Sequence, residues 1–166
     1  MDLGLAFQGV QAFAVVVGLL FAGYEWRASR RARQHEAELL LLRSFDSLEF
    51  TRAFRTILDL PDGQSKAEID ALGAEKADLV LYWAGQMEVI GRLVHDHAIG
   101  LDLVNDTYRG AILLSWRRLH DYVAGVRRVA GDSMMEWFQW LAERLIELDG
   151  TGPYVPANRR ETGWKP

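Results

Sequence analysis

Two short groups of residues in this chain have types and spacings that could do chemistry. The first is His95-Asp96-His97, because imidazole nitrogens and carboxylates are ligands for zinc. Side chains two residues apart on an α-helix point about 200° away from each other, so both imidazoles could bind one metal ion only if the helix ended here. Gly100 is close enough to end it, but no neighbouring residue completes a ligand set. We therefore interpret the cluster as a solvated, charged helix end.

The second is Glu88, which lies in an almost uninterrupted apolar segment at residues 79–94. A helix that is apolar nearly all round is buried on most sides, and a buried carboxylate needs a partner or a raised pKa. Arg92 stands four residues further on, at the spacing of a helical ion pair. We predict that Glu88 and Arg92 form an internal ion pair that fixes helix register. The alternative is a carboxylate that handles protons or binds a partner. Later arginines are further possible partners for it: Arg117, Arg127 and Arg128.

Other patterns that would indicate catalysis or cofactor binding are absent from the sequence. The chain has no cysteine, so thiolate nucleophiles, thiolate metal sites and disulfides are excluded. None of its four histidines follows a glutamate by three residues, as in the motif of di-iron bundles. There is no glycine-rich phosphate loop or nucleophile elbow, although residue types alone do not decide whether a Ser-His-Asp triad forms. We predict a protein that is not an enzyme and has no catalytic residue, cofactor or metal.

The apolar periodicity predicts an all-α fold with a helical bundle over residues 46–150. Side chains that can cap helix starts stand at Asp46, Ser65, Asp102 and Ser133, and the two serines form capping boxes with Glu68 and Glu136. Glycines that interrupt or end helices follow at Gly73, Gly100, Gly131 and Gly150. The longest helices are therefore predicted at residues 74–98 and 106–130. The first helix should bury Phe50, Phe54, Ile57 and Leu58.

A single N-terminal transmembrane helix is predicted ahead of this bundle. Residues 3–24 are 22 residues without a charge, and about 20 apolar residues span the hydrocarbon core of a bilayer. A cleaved signal peptide is the weaker interpretation, because Asp2 replaces the usual positive start and the run is long. We expect residues 1–26 to be an anchor and residues 27–45 to continue it as a basic juxtamembrane helix.

Positive charge after the span predicts its orientation. Lys and Arg flanking a span stay on the cytoplasmic side, which puts the N-terminus outside and the domain in the cytoplasm of a bacterial inner membrane. The residues expected at the lipid headgroups are Trp26, Arg27, Arg30, Arg31 and Arg33.

One face of the anchor is polar and small, which favours packing against another transmembrane helix. This predicted packing seam consists of Gly4, Gln8, Gln11, Val15, Gly18 and Ala22. A helix that serves only as a tether does not need such a face. The alternative is that Gly4 and Gln8 reach the outer headgroups and water.

Charge and aromatic residues outside the anchor indicate what the rest of the chain contacts. The net charge is −4, and the acidic excess lies in the bundle, which argues against nucleic-acid binding. The chain has six tryptophans, and Trp140 and Trp164 fit no core stripe. Exposed aromatics are enriched at contact surfaces, so we predict these two as possible partner contacts. Residues 151–166 contain three of the four prolines and are predicted to be an irregular tail.

The order of several segments resembles a family of uncharacterised bacterial proteins described as a domain of unknown function. The segments are RASRRAR after the anchor, then LLLLRSFDSLEFTRAFRTILDL, YWAGQMEVIGRLV, SWRRLHDYVAGVRR and MEWFQWLAERL. The resemblance implies an N-terminal membrane helix, an Arg-rich collar and a small helical cytosolic domain. It implies no catalytic residue.

These observations predict a non-catalytic accessory, assembly or regulatory subunit of a larger membrane protein complex. Its expected partners are membrane lipid and either other transmembrane subunits or further copies of itself, and not nucleic acid. The alternative is a membrane-tethered, self-associating sensor or defence effector.

Overall fold

The computed structural model describes residues 47–149, 152 and 154–165. These residues form helices and turns, with no strand among them. The helices are α1 (Leu48–Asp59), α2 (Lys66–Ala71), α3 (Ala74–His95), α4 (Leu101–Ala130), α5 (Glu136–Asp149) and α6 (Ala157–Arg160). The all-α fold class and the helical bundle are thereby confirmed. Within this part of the chain, no helix combines the length and apolarity needed to cross a bilayer. The predicted anchor, collar and packing seam lie outside the described residues.

Local sequence signals account for the first half of the bundle. The Ser47 hydroxyl accepts a hydrogen bond from the Phe50 N–H at 3.0 Å, so Ser47 and not the predicted Asp46 caps α1. The predicted capping box of Ser65 with Glu68 is confirmed, with both of its reciprocal hydrogen bonds present. Gly73 has φ of 92°, a left-handed conformation that favours glycine, and it separates α2 from α3.

The core is built where the apolar stripes of α1, α3, α4 and α5 meet. Its largest fully buried side chains are Trp83, Phe138, Ile57, Ile69 and Met87. The Trp83 indole N–H donates to the Ser115 hydroxyl at 2.7 Å and so joins α3 to α4 inside the core. On α1 the predicted stripe is partly wrong, because Leu58 is 44% exposed and Ala53 is buried instead.

Three predicted helix boundaries are corrected. α3 ends at His95 rather than Ala98, and α4 begins at Leu101 rather than residue 106. The residue preceding α4 is Gly100, so Asp102 lies inside the first turn and is not the cap. At the start of α5, Met135 has φ of 57° and the helix begins only at Glu136. The second predicted capping box therefore does not form.

The tail is more ordered than predicted. α6 is a single helical turn, and the Arg160 guanidinium donates two hydrogen bonds to the Asp106 carboxylate, at 3.1 and 3.2 Å. The Arg109 guanidinium lies 5.1 Å from the centre of the Tyr154 ring. The tail thus contacts α4 at two points about one helical turn apart.

Candidate functional site

The contact between α3 and α5 brings the candidate site together. Gly91 of α3 lies against the backbone of Trp137, and a Cβ atom at Gly91 would overlap the Trp137 carbonyl group. Only glycine permits so close an approach of the two helices. The approach places the aromatic side chains of α5 beside the last turn of α3.

Glu88 lies at this contact and bonds α5 rather than its own helix. Its carboxylate accepts a hydrogen bond from the Phe138 N–H at 2.8 Å. Phe138 is in the first turn of α5, where backbone N–H groups lack partners within the helix. A carboxylate also interacts favourably with the N-terminal end of a helix dipole. Glu88 of α3 therefore takes the capping role that Ser133 was predicted to have.

The predicted ion pair of Glu88 with Arg92 is corrected by this geometry. The Arg92 side chain donates to the Asp96 carboxylate at 2.7 Å, one turn further along the same helix. In the sequence, Glu88 lies four residues before Arg92 and Asp96 lies four residues after it. In the structure Arg92 bonds Asp96. Asp96 is solvent-exposed, and bonding by Arg92 and then by His95 holds the pKa of its carboxyl below the usual range.

Two opposing effects act on the pKa of Glu88. Partial burial removes water from the carboxylate and raises its pKa, while the backbone N–H groups of Phe138 and Trp137 lower it. Glu136 adds a smaller repulsion and Arg127 a smaller attraction. Desolvation prevails, so the pKa of Glu88 is raised above its usual value. The cap is thus a carboxylate that can take up a proton.

An aromatic and cationic surface lies next to this cap. The His95 ring is 4.4 Å from the Trp137 ring and 5.5 Å from the Trp140 ring, measured between centroids. The Arg92 guanidinium carbon lies 5.0 Å from the centre of Trp137, and that of Arg144 lies 5.9 Å from Trp140. We call these five residues, Arg92, His95, Trp137, Trp140 and Arg144, the Trp-Arg surface.

The Trp-Arg surface is ordered and still accessible. The side chains of Arg92, His95 and Arg144 are 56%, 46% and 37% exposed, and both tryptophans are half-buried. Trp140 also packs against the core, so the prediction that it fits no core stripe is wrong. Stacking of cations on indole rings holds the side chains in place. Tryptophan and arginine are among the residues most enriched at binding hot spots. The chemistry that this arrangement supports is recognition of a partner surface.

The other predicted site residues have separate positions. Trp164 is 72% exposed and belongs to the tail rather than to the Trp-Arg surface. In the His95-Asp96-His97 cluster, α3 ends at His95, and His97 has φ of 56° in the turn that follows. In the described part of the chain, no group of three acidic or histidine side chains is arranged to hold a metal ion. The predicted seam and headgroup residues lie among residues 1–46, outside this part.

Sequence reasoning missed Arg109, which is only 6% exposed. It donates to the Leu145 carbonyl at 2.6 Å and to the Asn105 side chain at 3.0 Å, and it pairs with Asp149 at 2.5 Å. A signal for it was present, since Arg109 precedes Ile112 by three residues and so borders the apolar stripe of α4. It anchors the end of α5 opposite to Glu88.

The described residues thus define a small, all-helical bundle that displays an aromatic and cationic surface. The chain belongs to the family described as Domain of unknown function (DUF4760), which matches residues 12–145. No curated protein and no solved structure is significantly similar to it.

Proposed function

We propose that this chain is a single-pass protein of a bacterial inner membrane that acts as a non-catalytic accessory, assembly or regulatory subunit of a larger membrane protein complex. The observation that carries the proposal is the Trp-Arg surface, where two half-buried tryptophans and two arginines face solvent together. Trp140 packs against the core on its buried side, and the exposed parts of both indole rings remain for contact with a partner.

The charges around the Trp-Arg surface favour a protein as its partner. Arg92 is paired with Asp96, and Arg144 is paired with Glu147 at 2.6 Å. The net positive charge that phosphate backbones require is therefore largely neutralised. Indole faces and planar guanidinium groups remain, and these suit packing against apolar side chains and hydrogen bonding to carboxylates and carbonyls.

The membrane part of the proposal rests on the sequence. Residues 3–24 have the length and apolarity of a span, and the basic residues that follow favour a cytoplasmic bundle. A reporter fused after Pro166 should be active only if it is a cytoplasmic reporter. Activity of a periplasmic reporter at that position would contradict the proposed topology.

Co-purification tests the role of the Trp-Arg surface. The full chain is extracted in detergent, and proteins that elute with it are identified by mass spectrometry. Arg144→Glu reverses a charge on the Trp-Arg surface and should lower recovery of the partner at least about tenfold, as expected for a hot-spot residue. Arg55→Glu is the matched control, because Arg55 is exposed on α1. Equal losses in both variants would contradict the proposal, and recovery of further copies alone would favour the self-associating alternative.

Association through the membrane is tested separately. Gly18→Leu should block close approach of a second helix while keeping the anchor apolar. Val17→Leu adds bulk to the opposite face and is the control. If both variants recover the partner equally well, the anchor is only a tether, and binding depends on the bundle.

A further inference from the structure

An apolar groove lies along α4, and none of the residues of the Trp-Arg surface lines it. Its volume is about 560 Å³, and its apolar lining includes Gly110, Leu113 and Leu114 of α4 and Ile146 of α5. Ile146 is 50% exposed, and both leucines are only half-buried. Contiguous apolar surface of this kind marks a place where another group docks.

The C-terminal tail is fixed beside one end of this groove. Arg160 bonds both carboxylate oxygens of Asp106, and Asp106 precedes Gly110 by four residues on α4. One helical turn separates them, which is about 6 Å along the helix axis. The contact of Tyr154 with Arg109 holds the tail to the same stretch of α4.

Trp164 is the apolar side chain within reach. It follows Arg160 by four residues and is 72% exposed, the largest apolar side chain of the tail. Residues 161–164 form a turn in which the Trp164 N–H donates to the Glu161 carbonyl at 3.1 Å. If that turn opens, four residues of extended chain reach about 13 Å, which is more than the one-turn separation of Asp106 from Gly110. The segment from Arg160 to Trp164 is therefore long enough to bring the exposed indole to the Gly110 end of the groove.

We propose that this groove is the docking site of the chain's own Trp164, and that the C-terminal tail closes over α4 with the Arg160–Asp106 pair as its pivot. Closure removes the indole and the lining of the groove from water together, which is favourable in proportion to the apolar area covered. A groove of this volume accommodates an indole ring with part of the adjoining backbone. The structure presents the open arrangement, with the pivot formed and the indole outside.

Disulfide trapping in the full chain tests the closure, because a chain without cysteine gives introduced pairs a clean background. The test pair is Gly110→Cys with Gly163→Cys. The control pair is Gly85→Cys, on α3, with Gly163→Cys. An added Cβ has open space at all three glycines. A disulfide requires Cα atoms about 4.4–6.8 Å apart, so closure of the tail over α4 should bring only the test pair within bonding distance.

The measurement is the rate of intramolecular cross-linking under mild oxidation, at low protein concentration in detergent. The test pair should cross-link at least about ten times faster than the control pair, and Trp164→Ser should return its rate to that of the control. Equal rates for the two pairs would overturn closure. A test-pair rate that Trp164→Ser leaves unchanged would overturn the role of the indole. Cross-linked dimers in place of monomers would assign the groove to the tail of a second copy and overturn the proposed occupant.

Discussion

The two ends of α5 are held by charged side chains of opposite sign from two different helices. At its start, the carboxylate of Glu88 from α3 accepts the Phe138 N–H. Near its end, the guanidinium of Arg109 from α4 donates to the Leu145 carbonyl. Each charge is the one that the helix dipole favours at that position. α5 therefore depends on its neighbours, rather than on its own sequence, for both terminal contacts.

The two ends differ in how firmly they are held. Arg109 is 6% exposed, and its guanidinium bonds the Leu145 carbonyl, the Asn105 side chain and the Asp149 carboxylate. Glu88 is only half-buried, and its pKa is raised. The later end of α5 is thus bonded by a buried guanidinium. Its start is bonded by Glu88, whose pKa is raised, and by the Arg127 guanidinium, which donates to the Met134 and Met135 carbonyls and to the Gln139 side chain. The Trp-Arg surface lies at the end that Glu88 bonds.

The largest effect should come from removing the buried guanidinium of Arg109. We expect Arg109→Ala to lower the free energy of unfolding by about 3 kcal/mol, because a buried charge-assisted bond and the packing of its stem are lost together. Arg109→Lys should retain only part of the free energy of unfolding that Arg109→Ala loses, since an ammonium lacks the planar fork of a guanidinium. Arg128→Ala, on the exposed side of α4, is the control. Denaturant unfolding followed by circular dichroism measures all three, and equal stability of the two alanine variants would contradict the anchoring role of Arg109.

The next effect should come from separating α3 and α5. Gly91→Ala should destabilise the bundle by about 2 kcal/mol, because its methyl group overlaps the Trp137 carbonyl and forces the helices apart. Gly85→Ala on the same helix meets no atom within 4 Å and should stabilise α3 by up to about 1 kcal/mol through helix propensity. Thermal unfolding of the two variants should shift in opposite directions. An unchanged or raised melting temperature of Gly91→Ala would show that the close contact is not required.

Removing the titrating cap should have a smaller effect. Glu88→Ala should cost about 1–2 kcal/mol, because the Phe138 N–H loses its acceptor at a partly buried position. Glu88→Gln should cost less, since an amide oxygen still accepts that bond. Arg92→Ala should change stability little, because its pair with Asp96 is exposed. If Arg92→Ala were as destabilising as Glu88→Ala, the predicted ion pair of these two residues would be correct after all.

The smallest effect is a dependence on pH. Because the folded-state pKa of Glu88 is raised above its unfolded value of 4.5, the folded state binds the proton more tightly. The stability that this protonation adds is fully present below pH 4.5 and is lost as the pH rises through the folded pKa. Glu88→Gln removes this contribution and keeps all others. The free energy of unfolding of the wild type, measured relative to Glu88→Gln, should therefore fall as the pH rises above 4.5. A rise over that interval would indicate a lowered pKa.

What the sequence predicts well in this chain is local. The box of Ser65 with Glu68 and the stop at Gly131 depend on residues within a few positions of each other, and both are present. The all-α fold follows from the same kind of signal, since apolar periodicity is a property of each segment.

What the sequence does not predict depends on contacts between segments far apart in the chain. Ser133 has the right local pattern for a cap, but Glu88, fifty residues from Phe138, occupies the start of α5. Arg92 had acidic neighbours on both sides at helical spacing, and only the packing of Glu88 against α5 decides which one it bonds. Trp140 was identified as a candidate contact, whereas the stacking of Arg144 and His95 around it required the fold.

Because the Trp83 indole N–H is bonded to Ser115 inside the core, the exchange rate of its proton reports how often the bundle opens. Trp83 is 1% exposed. The Ser115 hydroxyl accepts the hydrogen bond from its indole and itself donates one to the Ala111 carbonyl. In deuterated water this proton can exchange only when α3 and α4 separate. The indole proton of Trp164, at 72% exposure with the tail open, exchanges without any opening of the bundle. A single spectrum would therefore give two exchange rates. The Trp164 proton reports the rate of exchange with solvent, and the Trp83 proton reports the rate of core opening.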